Sequence, residues 1–217
     1  IKWTAPVVTW LATEIQQNKW IIKPGVEHGH NPHLETIPEQ WKVAEYTRTN
    51  AHKITKIKNR PIYDGSINDK SLIRYLEELK KRGYKVMLYP MFFVDRVDKP
   101  WRGRITMKPE EIKEFFHGNE GYNKFILHYA KLAPHLIDAF IIGSELCGLT
   151  SVHDEQFNFP AVQELIALAK KVRRIVGKNV QISYAADWSE YHHSDDGWYH
   201  LDPLWACEDI DFIGIDA

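Results

Sequence analysis

Glu145 closes the run Asp138-Ala139-Phe140-Ile141-Ile142-Gly143-Ser144-Glu145, a short apolar stretch that follows an amphipathic one. A buried parallel strand delivers its C-terminal end to the face where such folds do chemistry. A carboxyl there is placed for acid–base work. Protonating a glycosidic oxygen needs a carboxylic acid that holds its proton near neutral pH, and a second carboxylate acts as nucleophile or activates water. Glu145 suits the first role, and no other Glu sits as cleanly at the end of an apolar run. The competing reading is an ordinary Gly-Ser-Glu turn.

Other strand ends carry polar or aromatic residues as well: Trp10, Asp95, Asp187 with Trp188, and Asp216. Asp187 and Asp216 are shorter acids that can equally cap a following turn. Trp188, Glu190 and Tyr191 form an aromatic and acidic loop, suited to stacking a sugar ring and bonding its hydroxyls, or simply to closing the sheet. Trp101 and Arg102 are a further pair that can meet a ligand or stack on each other. These residues form the expected substrate-binding set: Trp10, Asp95, Trp101, Arg102, Asp187, Trp188, Glu190 and Asp216. Ser144 lacks the second glycine of a nucleophile elbow and ranks low as a nucleophile.

Histidines cluster at His28, His30 and His33, but there is no HExxH pattern and no Cys partner, so solvated loop histidines are the better reading. The spacing His28-Gly29-His30 keeps a metal-dependent amidohydrolase as a remote third class. His192-His193 read as loop residues, and His128 as a packing or surface position. No metal or other cofactor is expected.

The elements that must position these groups alternate. Val7–Leu11 reads as a buried strand, and Trp20–Pro24 as a short extended piece whose Pro argues for an edge or an excursion. Residues 27–67 are irregular and too long for a structureless loop, so short strands are expected there. Asn68 or Asp69 caps a helix with Leu72, Ile73, Leu76 and Leu79 on its apolar face, stopped by Gly83. Val86–Val94 is a strand. Pro109 opens a helix towards Phe116, and Tyr122–Leu132 is another. After the Glu145 strand, Pro160 opens a helix that Gly177 stops. Val180–Ala185 and Ile210–Ile215 are the last strands. Buried strands alternating with helices imply an α/β fold with a parallel sheet, and acidic or aromatic groups at nearly every strand end favour a barrel over a doubly wound sheet. Neither GxGxxG after a strand nor GxxxxGK[ST] occurs.

Twenty-eight Lys and Arg against 29 Asp and Glu leave a net charge near zero, with no basic stripe, so nucleic acid is not an expected partner. No stretch is apolar enough to span a bilayer, so neither is a membrane. Cys147 and Cys207 lack CxxC spacing and read as two free buried thiols. Residues 1–217 read as one domain, cut from a longer polypeptide.

Five segments occur in order: Trp101–Thr106, Leu127–Leu132, Phe140–Leu146, Tyr184–Tyr191 and Asp211–Asp216. Together they resemble the TIM-barrel-like domain of gene transfer agent and phage-tail proteins, a domain similar to β-mannanase-type glycoside hydrolases of family 113. The resemblance runs from about Val7 to Ala217. It implies a (β/α)8 TIM barrel of glycoside hydrolase type, incomplete here, with about strands 2 to 6 present and Val7–Leu11 as the second. It makes Glu145 the general acid/base, and puts the nucleophile on a seventh strand that this sequence does not include. Cys147 stands where the tail-protein family often has Arg, and Asp187 where the mannanase-like enzymes carry Asn. The implied function is retaining hydrolysis of a cell-envelope or other polysaccharide, in a phage-tail or gene-transfer-agent particle acting at the cell envelope, with other tail or baseplate subunits as partners. The alternative is a non-catalytic structural or glycan-binding module of a tail hub.

Overall fold

A computed structural model describes residues 2–29 and 40–216. The chain starts with β1 (Lys2–Thr4), β2 (Val7–Gln16) and β3 (Lys19–Lys23). Six two-residue strands follow in three ladders. β4 (Gly25–Val26) pairs with β7 (His52–Lys53), β5 (Lys42–Val43) with β6 (Tyr46–Thr47), and β8 (Lys56–Ile57) with β9 (Arg60–Pro61). This is the expected excursion of short strands. His30 and His33 lie outside the described residues.

Regular alternation then begins. Helix α1 (Asp69–Lys81) is capped by Asn68, whose side chain accepts from the Lys70 N–H, and Gly83 turns the chain away at φ +77°. Strand β10 (Tyr84–Val94) leads through two single 3₁₀ turns to α2 (Ile112–His117) and α3 (Tyr122–Leu132). Pro109 opens a 3₁₀ turn, and the α-helix proper begins only at Ile112. Strand β11 (Ala139–Ser144), α4 (Cys147–Thr150), α5 (Pro160–Val176), β12 (Gln181–Asp187), α6 (Asp202–Trp205) and β13 (Gly214–Asp216) complete the chain.

The main sheet runs β13-β12-β11-β10-β2-β3, with β1 also on β10. All pairs are parallel except β2–β3, an antiparallel hairpin turned by Asn18 at φ 60°. The short piece around Trp20–Lys23 takes the edge of the sheet, and it pairs antiparallel where the other strands are parallel. The last strand is shorter than expected. The Asp211 N–H donates to the Ile182 carbonyl at 2.8 Å, but the Ile182 N–H donates at 2.6 Å to Asp211 Oδ2 rather than to a backbone carbonyl, and ladder pairing starts at Gly214.

Alternation along β10 assigns the two faces of the arc. Val86, Leu88, Phe92 and Val94 pack under the helices in the main core. Met87, Tyr89 and Met91 point the other way, towards Ile141, Ala185 and Phe212, into what is the barrel interior. Helix α5 buries Ala161, Val162, Leu165, Leu168, Ala169, Val172 and Val176, a 3.6-period stripe that holds it against the sheet. Cys147 and Cys207 are free and partly, not fully, buried.

Candidate active site

Strand β11 stops at Ser144, one residue short of the expected end. Glu145 follows in the left-handed region at φ 50°. Most other non-glycine residues with positive φ, such as Asn18, Lys58 and Asn59, sit in hairpin or loop turns. A bulky residue in that region at the end of a parallel strand costs on the order of 1 kcal/mol, and such outliers concentrate at functional sites. Two bonds hold the kink. The Glu145 N–H donates to the Ala185 carbonyl at 2.8 Å, and the Leu146 N–H donates to the Tyr184 hydroxyl at 2.7 Å. The β11–β12 register slips between Ile141 and Ser144. A slip of that kind re-aims the side chains beyond it. Gly143 lets the strand approach closely, because a Cβ there would lie 2.8 Å from the Tyr122 hydroxyl and 3.1 Å from the Tyr184 ring.

The Glu145 carboxylate is received by the loop after β10. Trp101 Nε1 donates to Oε2 at 2.5 Å, and an Arg102 Nη lies 2.9 Å from the same oxygen. Arg102 is buried and also donates to the Ser144 carbonyl at 2.9 Å and to Ser144 Oγ at 2.5 Å. Ser144 Oγ lies 3.1 Å from Asp216 Oδ2, and the Tyr89 hydroxyl bonds to Asp216 and lies 2.9 Å from Ser144 Oγ. Burial and the neighbouring Asp216 push the Tyr89 phenol up, so it remains a neutral donor. Trp101, Arg102, Glu145, Ser144, Tyr89 and Asp216 therefore form one hydrogen-bonded network drawn from β10, β11, β13 and the 95–106 loop. Both donors to Glu145 meet Oε2, so a proton carried by this acid belongs on Oε1.

The other expected contacts divide. Trp188 is 65% exposed, and Trp101 is also exposed. Asp187 stands opposite Asp216 in the β12–β13 register, and its Oδ2 accepts the Ser189 N–H at 2.8 Å and the Ser189 hydroxyl at 2.5 Å, the turn-capping arrangement. Three residues are corrected from substrate contacts to structural positions. Trp10 is fully buried, donates to the Tyr129 hydroxyl at 3.1 Å and packs on Phe125 and Tyr46, because it faces the helices rather than the barrel interior. The Asp95 side chain is buried under the excursion and accepts from Thr55 N at 3.0 Å and Thr55 Oγ1 at 3.1 Å, with His52 Nε2 at 2.5 Å. Burial works to raise its pKa, but the His52 and Thr55 bonds outweigh it and hold the carboxyl low. Glu190 is 3% exposed and takes bonds from Thr150, Tyr184, Cys147 and the Asp187 N–H. Burial pushes its carboxyl up despite those donors.

Tyr89 and Tyr184 were missed. Each is a hydroxyl-bearing residue inside an otherwise apolar strand, and that was the available signal. His128 contacts Asp69 Oδ1 at 2.9 Å, a packing role. Among the described residues no group of three His, Cys, Asp or Glu could hold a metal, and no helix is long and apolar enough to cross a membrane. Trp101 lines two cavities. One, of about 480 Å³, lies towards Glu14, Trp20 and Arg104. The other, of about 420 Å³, lies towards Cys147, Glu190 and His200.

Residues 120–217 match the family model of the GTA TIM-barrel-like domain. The match takes in α3, β11, the Glu145 kink, β12 and β13, and so bears out the resemblance over four of its five segments, Trp101–Thr106 lying outside the matched residues. Among solved structures, a GH113 β-1,4-mannanase superposes with a TM-score of 0.52 at 15% identity, over 96% of this chain and 50% of that one. The GH113 β-mannanase AaManA from Alicyclobacillus acidocaldarius gives 0.49 at 19% identity, over 70% and 42%. No curated protein matches the sequence. The chain spans half or less of the length of these mannanases. Its fold is that of a TIM barrel, present as an incomplete arc.

Proposed function

We propose that this GTA TIM barrel is the acid/base-bearing part of a retaining glycoside hydrolase that acts on a cell-envelope or other polysaccharide. The particle it serves is a gene transfer agent or phage tail, with other tail subunits as neighbours. The observation that carries the reading is Glu145 itself. A carboxyl is held in a left-handed kink at a strand's C-terminal end, anchored through one oxygen by Trp101 and Arg102, beside two cavities that share the Trp101 wall. Its other oxygen would carry the proton to the glycosidic oxygen. In a retaining mechanism the nucleophile lies about 5–5.5 Å from the acid/base. The resemblance puts it on a seventh strand, and Asp216, tied to Tyr89 and Ser144, is not arranged for attack. Trp188 and Trp101 offer faces for sugar rings.

One observation favours the second reading, a glycan-binding hub module. Arg102 and Trp101 occupy Glu145 Oε2 as they would in a structural ion pair. The deciding experiment is hydrolysis of β-mannan, β-glucan and peptidoglycan by the full chain and by Glu145→Gln. Loss of roughly a hundredfold or more in the variant is expected for a general acid. Equal turnover by both proteins removes Glu145 from the chemistry. Glycan binding without turnover by either supports the hub module.

A further inference from the structure

Two loops extend from the rim that carries Glu145. Residues 151–159 join α4 to α5 beyond β11, and residues 188–201 join the neighbouring parallel strand β12 to α6. Each carries an aromatic residue that the core does not use. Phe157 is 49% exposed and Trp198 43%, and neither belongs to a hydrophobic cluster. Their rings nevertheless meet between the loops, stacked at 4.6 Å with an interplanar angle of 28°.

The backbone under Phe157 is unusual. It sits at φ 58°, and no other aromatic residue among those described takes a positive φ. A bulky residue there is an outlier that its surroundings must hold in place. Asp154 does the holding. Its Oδ1 accepts the Gln156 and Asn158 N–H groups, each at 2.9 Å, its Oδ2 accepts Asn158 Nδ2 at 2.9 Å, and its carbonyl accepts the Phe157 N–H at 3.1 Å. Glycine would take this conformation without strain, and a half-exposed ring stabilises the fold little. A tightly bonded, strained turn that displays a ring to solvent points to a task for that ring outside the fold.

The supports of both rings reach the cavity of about 420 Å³ beside Trp101. Ser194 and Asp196 line that cavity. The Ser194 N–H donates to the Trp198 carbonyl at 2.8 Å, and Asp196 lies 3.4 Å from His153, whose ring is 4.8 Å from that of Phe157. Trp101, which donates to Glu145, lines the same cavity. One cavity therefore has among its walls both a partner of the candidate acid and the supports of the exposed rings.

The chemistry of residues 188–200 selects the occupant. The stretch offers aromatic rings, imidazoles, hydroxyls and carboxylates, with no aliphatic side chain and no Lys or Arg. A protein-binding patch adds Met and Arg to its aromatics. Nucleic acid or an acidic glycan needs cations. An uncharged sugar chain brings flat C–H faces for the rings and hydroxyls for the imidazoles and carboxylates. We infer that Phe157 and Trp198 form a stacking platform for an uncharged, β-1,4-linked polysaccharide, holding sugar units beyond those next to Glu145. A β-1,4 linkage keeps successive rings in one extended ribbon that can reach from the cavity to the platform. The inference deepens the glycan-active reading and rests on it for the choice of a sugar chain.

The test is calorimetric binding of β-1,4-linked hexamers of glucose, mannose and N-acetylglucosamine, each against its dimer. Binding is measured in the full chain carrying Glu145→Gln, so that no substrate is consumed, and hydrolysis is followed separately in the chain with Glu145 intact. At least one hexamer is expected to bind more tightly than its dimer. Phe157→Gly and Trp198→Ala, added singly, should each weaken that hexamer about five- to tenfold and leave the dimer unaffected. Phe157→Gly should also melt no lower than its parent, because glycine relieves the positive φ. A ring that merely packs would give the opposite pair of results, a lower melt and unchanged hexamer binding, and that overturns the platform. So does the absence of any hexamer binding, or a concentration-dependent dimer of the protein that Phe157→Gly abolishes, since a second copy would then cover the rings. Hydrolysis that depends on Glu145, with hexamer binding indifferent to both variants, sinks the platform and leaves the hydrolase reading standing. Hexamer binding that both variants weaken, without turnover by the chain with Glu145 intact, does the reverse.

Discussion

The two rims of the sheet use carboxylates differently. At the N-terminal rim, Asp138 bonds Lys80 at 2.6 Å, Lys85 at 2.9 Å and the Val86 N–H at 2.9 Å. Asp211 likewise takes Arg173 at 2.5 Å and the Ile182 N–H at 2.6 Å. Each acid there ties the start of a strand to a cation and to a backbone donor. At the C-terminal rim one cation, Arg102, serves Glu145, while Asp216 and Asp187 are bonded only to hydroxyls and backbone. Charge at the first rim is cross-linking, whereas charge at the second is left partly uncompensated.

The sharpest way to break that contrast is to remove an acid from each rim. Asp138→Ala should cost about 2–3 kcal/mol in urea unfolding, mostly because the Val86 N–H loses its acceptor, the partly exposed Lys80 and Lys85 adding little, while glycan binding by the folded protein is retained. Glu145→Gln should lower the unfolding midpoint less than Asp138→Ala does, because the Gln carbonyl still accepts from Trp101 and Arg102. A large loss of stability there would make Glu145 another cross-link. Next in size is Gly143→Ala, expected to cost about 2 kcal/mol, because the added Cβ meets the Tyr122 hydroxyl and the Tyr184 ring. A neutral melt would show that the bulge can relax.

The smallest effect is in pH. Burial opposes ionisation of Asp138, but Lys80, the Val86 N–H and Lys85 outweigh it and lower its pKa below the ordinary 3.8. Its contribution is therefore complete above that value and is lost as pH falls through the folded-state pKa. Burial raises Glu190 above 4.5, so more protons are bound in the folded state, and its contribution declines as pH rises from that value through the folded-state pKa. Unfolding of Glu190→Gln measured across mildly acidic pH should lack that decline. An identical slope in both proteins would mean that Glu190 is not the group responsible.

Helix positions were legible because Leu72, Leu76, Leu165 and Val172 repeat with the helical period and Asn68, Gly83 and Gly177 punctuate them. Glu145 was legible because it ends an apolar run. What strand position alone does not reveal is which face a side chain takes and what covers it. Trp10 and Asp95 both sit near strand ends, yet one faces the helices and the other is roofed by His52 and Thr55, some forty residues earlier in the chain. Glu190 needed its tertiary partners Thr150 and Tyr184 to be recognised as internal. The register slip before Ser144 depends on how β11 lies against β12, and local sequence does not encode that.

The two bonds that hold the Glu145 kink have a mechanical consequence. Both acceptors, the Ala185 carbonyl and the Tyr184 hydroxyl, belong to β12 and not to the strand that carries the acid. Glu145 is thus surveyed from its neighbour. Sliding of β12 along β11 displaces the carboxyl directly, whereas flexing of the segment beyond Leu146 is absorbed at the two fixed points and leaves it in place.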